Sequence, residues 1–310
     1  MNFALVLSIA ILTDFILGDP KNFFHPVKLI GHLINFEKRI LLTEKKTFIN
    51  GLVLCILTLS ITGLFVWFIL YVSGNNFFVD VYLIYSAIAW RDLKDETEII
   101  FYSLLKNDIK KARKFLSYVV GRDTENLNPT EITRAVIETI SENSIDGIIS
   151  VIFFAALGYI FYKENGMILF TWIFKASSTL DSMIGYESYK KFGYASAKFD
   201  DILNFIPARL GGLIIVMSGG NFRKALKIFL HDRKNHKSPN SAHGESAFAG
   251  VLNIKLGGGA FYDGIFEARP SINENARDPE IFDILRAWKL LDISCSLFAF
   301  LVMLLVWKIF

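Results

Sequence analysis

Arg134, Glu138, Glu142 and Asp146 follow one another at intervals of four residues. On an α-helix, residues four apart stack on one face. An unbroken helix would therefore carry three carboxylates in a row, and bare carboxylates repel one another. The row calls for a cation. Mg²⁺ suits it, because that ion takes one or two protein carboxylates and completes its shell with phosphate oxygens and water. The plainer alternative is a solvated face on which Arg134 pairs with Glu138, and for Glu138 alone it is preferred. Glu142 and Asp146 are different. They adjoin an apolar run from Ile145 to Tyr162, and a carboxylate at the centre of a bilayer costs about 2.5–3.5 kcal/mol on insertion scales. These two are expected to bind metal and to act in catalysis.

Three more stretches set ionisable groups in or beside apolar ones. In FKASSTLDSMIGY (Phe174–Tyr186), Lys175 and Asp181 interrupt an apolar segment. A lysine snorkelling from a helix end accounts for Lys175 but not for Asp181. FDDILNFIPARLGG places Asp200, Asp201, Asn204 and Arg209 around Pro207. Asp201 and Asn204 should share a helix face; a cap plus an interfacial arginine is the plainer alternative. HDRKNHKSPNSAHGESAFAG (His231–Gly250) offers His231, His236, His243 and Glu245. No H-E-x-x-H zinc spacing occurs there. SPN signals a turn, and GESA a helix start whose N-terminus could receive a phosphate; a plain connecting loop is the alternative. GDPKNFFHPV adds Asp19 and His25, and LGGGAFYDG (Leu256–Gly264) a flexible turn. Nothing fits a P-loop, a G-x-G-x-x-G fingerprint or a G-x-S-x-G elbow.

The elements that hold these groups are set by composition. Of 310 residues, 53% are hydrophobic and the mean hydropathy is +0.40, above the 45–50% apolar content of soluble chains. Leu52–Val72 has no charge and is long enough to cross a hydrocarbon core of about 30 Å. The reading is an all-α, polytopic helical membrane protein with cytoplasmic helical and loop insertions. Apolar segments are expected near 3–18, 48–73, 77–90, 145–162, 166–184, 202–218 and 291–309. Polar regions are expected at 19–47, 91–144, 185–201 and 219–290. The first apolar segment lacks a basic leader and a small-residue cleavage site, so it reads as a retained membrane helix. Lys21, Lys28, Lys38, Arg39, Lys45 and Lys46 put the 19–47 region on the cytoplasmic side. Parity then requires 202–218, broken by Pro207, Gly211 and Gly212, to dip in and return or lie along the interface; the alternative is a plain span with a basic outer loop. Asn128-Pro129-Thr130-Glu131 reads as a helix start. The net charge of +3 and the absence of a basic tract with interleaved aromatics do not point to nucleic acid. Cys55 and Cys295 lie in apolar runs and read as core residues.

Seven stretches, in order, resemble one family: LGDP with HPVKLIG, VGRDTENL, RAVIETISENSIDG, KASSTLDSMIGY, FGYASAKFDDILNFIPARL, HKSPNSAHGESAFAG and LGGGAFYDG. The family is that of the membrane-bound adenosylcobinamide-phosphate synthases of cobalamin biosynthesis, called CbiB or CobD. The sequence departs from the family pattern at Ser178, Lys198, Phe205, Lys237 and Gly244, where Asn, Arg, Trp, Pro and Pro are usual. The resemblance implies a carbon–nitrogen ligase that joins the carboxyl of adenosylcobyric acid to aminopropanol or aminopropanol phosphate, with ATP as co-substrate and Mg²⁺. It implies catalytic roles for Glu142, Asn143, Asp146, Asp181 and His236, and metal binding by Glu142, Asp146 and Asp181. Substrate or phosphate binding falls to His25, Lys175, Asp201, Asn204, Arg209, Ser238, Asn240 and Glu245. The site would lie on the cytoplasmic face of the cell membrane. A homo-oligomer, or association with other cobalamin-assembly membrane enzymes, is left open. A transporter for an anion or cofactor, or an AmpE-like membrane sensor, is the alternative. The energetic cost of scattered charges predicts that residues 142–146, 175–181, 201–209 and 236–245 share one pocket.

Overall fold

The computed structural model describes residues 3–20, 25–42, 47–74, 76–185, 189 and 191–310. Lys21, Lys45 and Lys46, used above to orient the first polar region, lie outside the described residues. The chain is predominantly helical. It opens with α1 (Phe3–Leu17) and α2 (Pro26–Leu41). Pro26 starts α2 at the position where a missing N–H costs nothing. α3 (Phe48–Ser73) is capped by Thr47 and ends at Gly74 in the left-handed conformation. α4 (Phe77–Tyr85) is only nine residues, so the apolar stretch expected to 90 stops being helical at Tyr85.

Next come α5 (Trp90–Leu105) and α6 (Ile109–Leu116). The sequence suggested one helical insert here. It breaks because Asn107 takes a φ of +56° and the Asp108 side chain accepts from the Lys111 N–H at 3.0 Å, capping α6. α7 (Pro129–Asn143) begins with the full capping box: Asn128 accepts from the Glu131 N–H at 3.0 Å and Glu131 accepts from the Asn128 N–H at 2.8 Å. A π-helical turn, Ser144–Ile149, leads into α8 (Ser150–Ile184). α8 is two arms. Tyr162 and Lys163 leave helical geometry and the chain doubles back, stacking Phe154 on Phe174 at 4.8 Å. Gly158 and Gly166 touch across the bend, where a Cβ on either would collide with the other's carbonyl oxygen.

α9 (Tyr194–Leu203) and α10 (Phe205–Met217) follow. At 1.5 Å per residue, α10 is about 20 Å long, short of a hydrocarbon core of about 30 Å. α11 (Phe222–Asp232) and α12 (Ser241–Leu252) come next. β1 (Leu256–Gly257) pairs with β4 (Ser271–Ile272), and between them β2 (Ala260–Tyr262) and β3 (Ile265–Glu267) form an antiparallel hairpin. Strands of two or three residues are too short for alternation to reveal, and the sequence offered only a flexible turn there. α13 (Asp283–Ile309) closes the chain. Phe48–Ser73, Pro129–Ile184 and Asp283–Ile309 are long and apolar enough to cross a membrane; the second of these contains the α8 bend.

The chain divides into two compact units. One comprises Met1–Ala89, Ser150–Asn204 and Leu301–Phe310. There α3 packs on α2, α8 and α9, and α1 on α4, around buried Leu7, Ile34, Leu54, Trp172 and Phe174. The other comprises Trp90–Ile149 and Phe205–Phe300. There α12 packs on α7, α10 and α11, around buried Val136, Ile140, Phe229 and Phe248.

Candidate functional site

In the second unit the polar groups gather on α7. Glu138 faces inward and is 2% exposed. A buried carboxylate must be paired, and this one is. Arg122, from the stretch between α6 and α7, reaches it at 2.6 Å, and the Gly257 N–H donates to its Oε1 at 2.8 Å. The pairing expected on the helix itself, Arg134 with Glu138, gives way to Arg122. Burial opposes the Arg122 charge, but Glu138 more than offsets it and holds the guanidinium above its usual pKa. One turn along, Glu142 Oε1 accepts from the Ser241 hydroxyl at 2.8 Å. Ser241 opens α12, three residues before the helix start inferred from GESA.

α12 runs tight against α7, since a Cβ on Gly244 would meet the Ser141 carbonyl oxygen. That approach brings in Glu245, also 2% exposed. Burial, reinforced by the charges of Glu138 and Glu142, pushes its carboxyl well above the usual range. His236, before α12, feels Glu142, Arg269, Glu138 and Arg122, and burial lowers its pKa. That shift favours the uncharged imidazole, whose Nδ1 accepts from the Ser238 N–H at 3.0 Å. Glu142 thus acts on both His236 and Glu245.

Other expected residues are engaged locally. The Asn143 amide donates to the Thr139 carbonyl at 3.0 Å. Ser238 Oγ accepts from the Asn240 N–H at 3.2 Å. Arg209 donates to the Phe205 carbonyl at 2.6 Å and to Asn240 Oδ1 at 3.3 Å. Asp146 lies in the π turn that follows α7. His243 is buried against Phe229, and burial, with Arg209 adding to it, lowers its pKa to about 4.

The first unit has its own cluster. Asn204 donates to Asp200 Oδ2 at 2.9 Å and accepts from the Ser150 hydroxyl at 2.7 Å. Asp201 pairs instead with Lys198 at 2.8 Å, so the shared Asp201–Asn204 face is split between different partners. Burial, with Asp181 next in weight, raises Asp200 to about 7. Lys175 and Asp181 lie on the second arm of α8, half-buried. His25 Nε2 is 3.3 Å from Asp19.

Among the described residues no three His, Cys, Asp or Glu side chains are gathered to hold a metal. Glu138 is taken by Arg122, and Glu142 by Ser241. The donors suit at most the one or two carboxylate contacts of an Mg²⁺ that arrives on substrate phosphate.

These features define a predominantly helical protein of membrane type, with a buried guanidinium–carboxylate cluster gathered around one helix. The chain belongs to the CobD/CbiB family: the family model described as CobD/Cbib protein matches residues 7–291. It is similar to a cobalamin biosynthesis protein CobD of Clostridium tetani, 41% identical over 289 residues and covering 87% of each chain. A CobD of Clostridium perfringens is 42% identical over 300 residues, 89% of each chain. A cobalamin biosynthesis protein CbiB of Salmonella typhimurium is 38% identical over 304 residues, 93% of each. No solved structure matches.

Proposed function

We propose that this chain is a multi-pass enzyme of cobalamin biosynthesis that forms the amide between adenosylcobyric acid and aminopropanol, or its phosphate, at the expense of ATP, on the cytoplasmic side of the membrane. One observation carries the reading. Stretches far apart in the chain, each part of the family resemblance, meet around Glu138: Arg122 of VGRDTENL at 2.6 Å, Gly257 of LGGGAFYDG at 2.8 Å, and, one turn along, Ser241 of HKSPNSAHGESAFAG on Glu142 at 2.8 Å. Membership of a family whose relatives are named as cobalamin biosynthesis proteins supports the pathway.

The chemistry follows from what such a ligation needs. The amine must lose a proton as the C–N bond forms, and the carboxyl oxygen must leave on phosphate. Neutral His236 accepts the proton. Glu142 orients the ammonium before attack. The arginines steady negative charge on the carboxyl and phosphate oxygens in a site already stripped of water.

The test is turnover by the protein in nanodiscs, given adenosylcobyric acid, ATP, Mg²⁺ and either amino-alcohol, with product read by mass spectrometry. A corrinoid amide should appear with ATP consumption, and Glu142→Ala should lose it by about 10²-fold or more while remaining folded. Substrate uptake into sealed vesicles with no amide formed would instead favour the transporter.

A further inference from the structure

The arginines around Glu138 are unequally used. Arg122 is spent on the carboxylate at 2.6 Å. Arg134 and Arg269 are not: the Nε–H of each is buried without a hydrogen-bond partner among the described residues. Both guanidinium groups still act on Glu138, and Arg269 acts on Glu245 and His236 as well, so they flank one polar interior. Arg134 comes from α7, one turn before Glu138. Arg269 comes from the segment between β3 and β4. Gly257-Gly258-Gly259, with φ of +73°, +89° and +94°, lies beside Arg134 and against the backbone of Ala268 and Pro270, the neighbours of Arg269. Three consecutive positive φ values are costly for any side-chain-bearing residue. At Gly257 and Gly259 space forbids a side chain as well, since a Cβ would meet the Pro270 and Glu267 carbonyl oxygens at 2.7 and 2.6 Å; at Gly258 a Cβ would make ordinary contact, 3.7 Å from Arg134 Nη1. Bare backbone therefore lies beside a guanidinium.

We propose that Arg134, Arg269 and the Gly257–Gly259 turn form an anion-binding site for phosphate oxygens, the cradle that stands in for a P-loop in this chain. Two planar forks with buried, unmet donors suit the several oxygens of a phosphate chain. A glycine turn lets the ligand approach the main chain closely. That the phosphate belongs to ATP or to the amino-alcohol phosphate rests on the ligase reading; the anion site itself does not.

The experiment is equilibrium binding by calorimetry to the detergent-purified full chain. The probes are tripolyphosphate, a non-hydrolysable ATP analogue and aminopropanol phosphate. The variants are Arg134→Gln, Arg269→Gln and, as a control on the exposed face of α6, Lys114→Gln. Size-exclusion profile and thermal melting establish folding. The expected result is tenfold or greater weakening of at least one probe in each arginine variant, with Lys114→Gln unchanged. If tripolyphosphate and the ATP analogue weaken together, the source is nucleotide; if only aminopropanol phosphate weakens, the source is the amino-alcohol. Should Arg134→Gln fold poorly, Arg269→Gln and Arg269→Lys decide, the lysine restoring part of the affinity. Wild-type affinity for all probes in the folded arginine variants overturns the site. Amide formation by wild-type protein that binds no phosphate probe overturns the site and spares the ligase reading. Arginine-dependent binding without amide formation does the reverse.

Discussion

Removing Arg122 leaves Glu138 charged, 2% exposed and without its guanidinium. Breaking a buried pair from one side costs about 3–5 kcal/mol. Arg122→Met should accordingly lower the melting temperature sharply. Arg122→Met with Glu138→Gln should recover much of the loss, because the uncompensated charge is gone. Equal melting of the single and double variants would show that the pair is not what holds this region. Two other residues give stability a pH dependence of opposite sign. Asp200 has a folded pKa of about 7 against an ordinary 3.8. Between those values the folded state keeps a proton that the unfolded chain has released, so stability falls as pH rises through that window. His243, lowered from 6.5 to about 4, does the opposite: its contribution is lost as pH falls from about 6.5 to 4. Melting followed from pH 4 to pH 8 should show Asp200→Asn gaining most at pH 8 and His243→Gln flattening the acid limb. Glu142, Glu245 and His236 were legible as candidates because ionisable residues beside apolar runs are conspicuous. Arg269 was not, since a single arginine in a connecting segment has no periodic neighbours to mark it. Glu138 was visible at its i, i+4 position, but its partner comes from sixteen residues upstream, which spacing on one helix cannot show.

At the level of elements, helix starts and stops were the readable part. Asn128 and Glu131 cap α7 as their spacing requires, and the break between the apolar segments 145–162 and 166–184 coincides with the bend in α8 at Tyr162 and Lys163. Left-handed Asn107 and the π turn went unseen, because neither has a residue signature strong enough to override helical periodicity. The α8 hairpin depends on the Gly158–Gly166 contact. Gly166→Val should reduce folded yield strongly, since the new Cβ meets the Gly158 carbonyl and Tyr162. Gly63→Ala, whose Cβ would meet only the Ile173 Cδ1 at 3.2 Å and a leucine methyl beyond it, should be tolerated. Monodisperse yield on size exclusion compares the two directly, and equal yields would remove the hairpin contact from the list of structural determinants.

For the whole molecule, side-chain composition announced an all-α membrane protein without ambiguity, whereas topology depended on α10. Its length of about 20 Å favours the reading in which the 219–290 region shares a side with 19–47. A cysteine at position 234 should then be labelled by an impermeant maleimide only from the cytoplasmic side, as should one at position 40. Both native cysteines, Cys55 and Cys295, are buried, so background should be low. Labelling of position 234 from outside would make α10 a crossing. The apolar helices also differ in what surrounds them. Only 28% of the most apolar stretch of Phe48–Ser73 is buried against protein, compared with 72% for Pro129–Ile184. The hydrocarbon around α3 does work that neighbouring helices do for α8. Stripping lipid should therefore loosen α3 first. Deuterium uptake by the amides of residues 52–72 should rise on delipidation well before that of residues 145–160, because their protection is a property of the solvent as much as of the chain.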